Sequence, residues 1–285
     1  MAIVLGLLTA ALFGAGDFFG GLSTKRVSVV VVIAIAHFIG LVSIALVAPF
    51  VAEEFLTRDF LVGIAAGVAG GLGVALLYRG LAQGPMAVVA PLTAITSAAI
   101  PSLWGILGGE SFTRIAWAGI LLAGLAIVLT SLPGEPRARK AQIAPRVIIE
   151  SLLSGAFFGV FFILFDTTST TSSPWPVVGS RLITASVLLI WLLAVRRSEL
   201  HALKSVEGRK VLPLIALAGL FDTASNALFL VATSFGDLTI VAVLSSLYPA
   251  STVLLARFVL DERMSRVQFT GLVAALAATI LIALG

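Results

Sequence analysis

Five ionisable side chains fall inside long apolar runs of this 285-residue chain: Asp17, His37, Asp166, Arg181 and Asp222. Placing a charge in hydrocarbon is costly, so each is a candidate for function by default. Asp222 sits mid-run, between Gly219 and Asn226. Asn226 lies four residues on, which puts both side chains on one helix face. The pair can contact a substrate, carry a proton, or fix helix packing. Arg181 can hold a carboxylate or phosphate with its planar fork. It can equally form an ion pair with Asp166, which the chain places towards the same end. His37 corresponds to Arg181 at an offset of 144. It is a candidate second cavity residue, a titrating switch or a packing residue. Asp17 and Arg79 reach similar depths and could pair as a gate or as an interfacial ion pair.

Hydroxyls add a polar stripe. Thr93, Thr96 and Ser97 share one face of their helix, and Ser245, Tyr248 and Thr252 share another, by their spacings of three and four. Packing accounts for most such hydroxyls, but a phenol at mid-membrane needs a partner for its O–H. Asp222, Asn226, Tyr248, Arg181, His37, Thr93 and Ser245 are therefore the expected substrate contacts. Asp17, Arg79 and Asp166 are the expected gate or ion-pair residues.

Known catalytic signatures are missing. No His-Glu-x-x-His pair, phosphate loop or Gly-x-Ser-x-Gly nucleophile occurs. There is no cysteine, and His37 and His201 are too few for a histidine-built metal centre. No cofactor or metal is expected. Without a nucleotide-binding module, ATP cannot drive this chain directly.

The elements that must position these residues are membrane helices. The chain is 59% apolar and 11% charged, with mean hydropathy +1.14, against about 25% charge in a soluble domain. Apolar runs predict ten spans at 2–22, 28–50, 60–80, 85–107, 115–132, 147–167, 175–195, 211–233, 237–259 and 266–284. Each is long enough to cross hydrocarbon at about 20 residues per span. Pro91, Pro101 and Pro249 predict kinks in the fourth and ninth spans. Glycines in the first and third spans predict close helix packing. The start, 1–21, has no basic n-region and reads as a span rather than a cleaved signal peptide.

The chain repeats itself. At an offset of 152, residues 84–128 fall on 236–280 with 11 of 45 positions identical. Gly84 meets Gly236, Glu110 meets Glu262, Arg114 meets Arg266 and Gly119 meets Gly271. The charged matches matter most, because charge is rare here. The expected organisation is a first five-helix repeat (1–132), a basic linker (133–146) and a second five-helix repeat (147–285). Five spans per unit is odd, so the second unit enters inverted. Of the 18 Lys and Arg residues, 15 fall in or beside the loops after spans 1, 3, 5, 7 and 9, and only Arg58 and Arg114 lie on the other side. The positive-inside rule makes the basic side cytoplasmic and puts both termini outside. These basic residues set orientation, and nucleic acid is not an expected partner.

The stretch from Gly236 through Val241, Leu244, Tyr248-Pro249 and Asp261-Glu262-Arg263 to Gly271 resembles the end of an EamA repeat. The chain is identified on that ground as a member of the drug/metabolite transporter superfamily, EamA type. The family often carries Arg in the second helix of each repeat; Arg181 matches and His37 departs. The first repeat has Gly109-Glu110-Ser111 at the turn, without the basic residue. Gly16 to Gly21 is similar to a bacterial subgroup. The resemblance implies a basket of ten helices. Spans 1, 3, 4, 6, 8 and 9 would line its cavity, with spans 5 and 10 supporting. It further implies a secondary transporter of the bacterial cytoplasmic membrane, exporting a small metabolite such as an amino acid by alternating access. Its partners would be the bilayer, the substrate and, as a candidate coupling ion, the proton; a monomer and a homodimer are both open. Two other classes compete: a membrane enzyme or lipid-modifying subunit using Asp17 and Asp222 as acid and base, and a non-transporting assembly partner.

Overall fold

The protein is all helix. The computed structural model describes residues 1–83, 86–132, 144–197, 199, 206–260 and 264–285. Its helices are α1 (Ala2–Thr24), α2 (Val29–Val51), α3 (Thr57–Gln83), α4 (Met86–Leu107), α5 (Arg114–Ser131), α6 (Pro145–Asp166), α7 (Trp175–Val195), α8 (Val206–Thr233), α9 (Leu238–Ser245), α10 (Tyr248–Val259) and α11 (Arg266–Leu284). A short 3₁₀ turn, Thr170–Ser172, precedes α7. Ten stretches are long and apolar enough to cross a membrane, with α9 and α10 sharing one of them. The protein is a multi-pass membrane protein. Most of the linker, 133–143, and the Asp261-Glu262-Arg263 turn lie outside the described residues.

Helices form because backbone polar groups must be satisfied within each segment in hydrocarbon. Their ends carry ordinary caps. Ser28 accepts from Val31 N, Thr113 from Ala116 N, and Ser265 closes a capping box with Gln268. Large apolar side chains such as Phe50, Leu107 and Leu276 are exposed, as a lipid-facing surface requires.

The ninth span departs from expectation. It is two helices, broken at Ser246 and Leu247, rather than one kinked helix. Pro249 sits in the first turn of α10, where its missing N–H leaves no intrahelical bond unmade. The break brings Ser245, Ser246 and Tyr248 together at mid-span. Its counterpart α4 runs unbroken through Pro91 and Pro101.

Packing partners exchange between the halves. α1 lies against α8 as α6 lies against α3; α7 packs on α3 as α2 packs on α8; α5 and α11 pack on each other. The agreement reaches single residues. Gly67 faces Ser180, where an added Cβ would lie 2.5 Å from the Ser180 carbonyl oxygen, and Gly219 faces Ala36 in the same way. Offsets of 152 and 144 relate these two seams. Gly119 packs on Ile282, and Gly271 on Thr130, again related by 152. Small residues are needed here because the helix backbones themselves are in contact.

A single apolar cluster gathers one end of the bundle. It joins Ala2, Ile44, Ala66, Phe165, Val177, Phe229 and Leu238, from seven different helices. Phe162 and Phe229 stack within it at 4.3 Å between centroids. This end is closed.

Candidate functional site

A cavity of about 780 Å³, counting the part open to the outside, lies between the two halves. Contacts come from α1, α2, α3, α4, α6, α7, α8 and the α9–α10 break. α2 and α7 thus join the six spans expected to line it, adding His37, Ser180, Arg181 and Thr184. α5 and α11 contribute nothing to the wall and buttress one edge.

Arg181 and Asp222 form the centre of a polar network. Arg181 Nη2 lies 2.6 Å from Asp222 Oδ2. The same guanidinium donates from Nε to Thr223 Oγ1 at 3.1 Å, from Nη2 to the Asp222 carbonyl at 3.3 Å, and meets His37 Nε2 at 3.3 Å through Nη1. Four of its five N–H donors are therefore engaged within the protein. Arg181 is 4% exposed, and the Asp222 side chain is 32% exposed, towards the cavity.

Hydrogen bonding fixes the His37 tautomer. Thr184 Oγ1 has one proton, which it donates back along its own helix to Ser180 O at 3.0 Å. It must then accept from His37 Nδ1, 2.9 Å away. That leaves His37 Nε2 as the acceptor facing the guanidinium, which can only donate.

Asn226 shares the face of Asp222, as its spacing predicts. Its Nδ2 donates to the Asp222 carbonyl at 2.6 Å, while its Oδ1 is buried without a protein partner. Ser245 Oγ is also buried and unpartnered. Both residues line the cavity, as do Ser97 and Ser246, whose hydroxyls meet at 3.3 Å. Tyr248 lines it too. The partner expected for its phenol is not found among the described residues.

Asp17 enters from α1. Gly16 beside it lets α1 approach α8, since an added Cβ there would lie 3.2 Å from Asp222 N. Phe19 and Phe221 stack across the same contact at 5.9 Å. The Asp17 carboxylate faces the cavity, within electrostatic range of Asp222. It makes no hydrogen bond or ion pair among the described residues.

Four expectations are corrected. Arg181 pairs with Asp222, not with Asp166; Asp166 lines a separate hydroxyl-rich pocket with Ser169, Ser173 and Thr233. Asp17 does not pair with Arg79, which lies 3.1 Å from Glu150, itself 2.8 Å from Arg146. Thr93 is a packing hydroxyl: it is fully buried and donates to Ser151 O at 3.2 Å, across the α4–α6 contact. Asp17 and Asp222 face one cavity, although their positions along the chain suggested different depths. In each case chain position gave height in the bilayer, while the direction a side chain faces followed from helix packing.

Glu150 is a charged residue that the sequence reading passed over. It sits one turn inside α6, 6% exposed, between two arginines. Arg146 four residues earlier was the available signal, since that spacing favours an ion pair on a helix. Glu110 is a second. Its carboxylate accepts from Leu238 N at 2.8 Å and Thr239 N at 3.3 Å, capping α9 from the other half.

Residues 146–284 match the model of the EamA-like transporter family. The match covers the second half of the chain and supports a membrane transporter. No curated protein matches it. One solved structure, described as "Crystal structure of protein", is similar with a TM-score of 0.70 at 20% identity, over 99% of this chain and 96% of that one. At that identity the likeness is of fold alone.

Proposed function

We propose that this protein is a secondary transporter of the bacterial cytoplasmic membrane. It binds a small polar or amphipathic metabolite in the central cavity and moves it by alternating access. The observation that carries this reading is the cavity itself. It lies between two sets of helices whose contacts interchange, and it holds an ion-paired network where such transporters bind substrate. The units are the two five-span halves. Five spans per half support an inverted arrangement, and the excess of Lys and Arg in the loops of one side supports termini on the outer side. Export is the direction drawn from the family.

Asp222, Arg181 and His37 form the fixed part of the site. Asp17 has no hydrogen-bond or ion-pair partner among the described residues, so it is the group freest to exchange a proton as the cavity changes the side it faces. Tyr248 and Ser245 lie at the α9–α10 break, a place where a span can bend.

The test is flux in proteoliposomes, with a metabolite panel, with and without a pH gradient. Wild type is compared with Asp17→Asn and Asp222→Asn. Gradient-driven flux should be lost in Asp17→Asn, and flux of every kind reduced in Asp222→Asn. Unchanged flux and unchanged pH dependence in both variants would sink the coupling role of these carboxylates.

A further inference from the structure

Most of the hydrogen-bonding valences left free on the cavity wall are acceptors, the hydroxyls of Tyr248 and Ser245 being able to donate as well. Asp17 presents a whole carboxylate with no partner among the described residues. Asn226 Oδ1 and Ser245 Oγ are buried and unpartnered, in residues 3% and 1% exposed. Asp222 turns part of its carboxylate to the cavity. Donors are largely committed. Arg181 holds Asp222, His37 and Thr223, and the His37 Nδ1 proton belongs to Thr184. With both carboxylates ionised and His37 neutral, two carboxylates against one guanidinium leave one negative charge in excess. The opposite wall is apolar and aromatic, with Phe158, Phe161 and Phe162.

We propose that this cavity binds a small organic ammonium ion, with Asp17, Asn226 and Ser245 accepting from its N–H groups and the phenylalanine wall taking its apolar body. The inference rests on the transporter reading and narrows its substrate class. An ammonium supplies only donors, which is what this wall lacks. Unpaired buried acceptors favour a ligand that satisfies them, because leaving them unmet has a cost on every other occupant. Aromatic faces add attraction for the cation. An anion meets the reverse: an unpaired carboxylate at Asp17, and an arginine that must release Asp222 to receive it.

Three compounds with one aromatic body separate the possibilities: 2-phenylethylamine, phenylalanine and 3-phenylpropanoate. Binding is measured on the purified full chain by equilibrium dialysis, and carriage in proteoliposomes. The amine should bind saturably, at least about 10-fold tighter than the zwitterion, with no measurable binding of the anion. Asp17→Asn is nearly isosteric and removes no internal bond, so it should fold and should weaken the amine about 10-fold or more. Ser245→Ala, which also breaks no internal bond, should weaken it several-fold. Size-exclusion behaviour and helical circular dichroism check that both variants are folded. Absent amine binding, equal binding to Asp17→Asn, or preference for 3-phenylpropanoate would each overturn the proposal, whatever the protein carries. Saturable, Asp17-dependent amine binding without carriage in vesicles would uphold the ligand class and count against transport instead.

Discussion

The two walls of the cavity occupy equivalent places in the two halves and carry opposite chemistry. Gly14 packs on Ser251 and Thr252 as Gly159 packs on Ile100 and Pro101. This register sets Asp17, three residues after Gly14, against Phe162, three after Gly159. The offset of 152 sets Asp222 against Gly70 and Asn226 against Val74. All six line the cavity. One frame therefore supports a wall of carboxylates and amide on α1 and α8, and a wall of phenylalanine and small apolar residues on α6 and α3. Two pairs are polar on both sides: α2 and α7, with His37 opposite Arg181 at 3.3 Å, and α4 and the α9–α10 break, where Ser97 meets Ser246 at 3.3 Å. The difference teaches that what the two halves share is the scaffold: seams, caps and buttress match, while the cavity-facing residues differ. A cavity with one charged wall and one aromatic wall suits an amphipathic guest, not a uniformly polar one.

Breaking the polar wall should have the largest effect. Arg181→Leu leaves Asp222 without its cation and His37 Nε2 without its donor. Flux should fall more than about 100-fold, and stability by roughly 3 kcal/mol, the low end for stripping a buried ion pair of one member. The low end applies because the Asp222 carboxylate faces the cavity. Arg181→Leu combined with Asp222→Leu should recover much of the melting temperature in detergent and none of the flux. If the double variant melts no higher than Arg181→Leu alone, the pair is not the source of the loss.

A second test asks whether the scaffold is as symmetric as its contacts. Gly67→Ala and Gly219→Ala place a methyl against the backbones of Ser180 and Ala36. Each should cost about 1–3 kcal/mol by overpacking, and the two losses should be similar despite the unlike walls nearby. Gly124→Ala, with nothing within 4 Å of the added methyl, is the control and should be near neutral. A Gly219 variant that melts like wild type while the Gly67 variant collapses would end the claim that the seams are equivalent.

The comparison also explains what could be read from the chain alone. The spans were legible because hydrocarbon demands about 20 apolar residues each, and no long loop competes. The repeat was legible at 84–128 and 236–280 because Glu110, Arg114 and their counterparts are rare charged residues in turns. It was not legible between α1 and α6, where Asp17 faces Phe162 and identity has been lost. Pairings across the bundle were the least legible. Asp166 and Arg181 share a height but not a face, and the partner of Arg181 is set by how α7 and α8 are rotated against each other. The break after Ser245 was hidden because Pro249 signals a bend without saying where hydrogen bonding resumes.

The smallest effect tests the links at the two ends of α2 and α7. Ser28 Oγ donates to Glu199 at one end, and Thr171 Oγ1 donates to Glu54 at 2.6 Å at the other. Each joins a hydroxyl before one helix to a glutamate after its partner, so the support is repeated where the cavity walls are not. Hydrogen bonds from Ser28 and Arg196 favour the charged form of Glu199 and hold its carboxyl below the usual carboxylate range. A lowered folded value means the link stabilises at pH above the ordinary carboxylate range and is lost as pH falls through the lowered one. Ser28→Ala removes the larger of these bonds and a helix cap together. It should cost about 0.5–1 kcal/mol near neutral pH, with the deficit against wild type shrinking as Glu199 becomes protonated in acid. Thr171→Val should show a loss of similar size, again measured as melting temperature against pH. A Ser28→Ala deficit that stays constant into acid would assign the whole effect to the cap and remove the glutamate link from the scaffold's shared features.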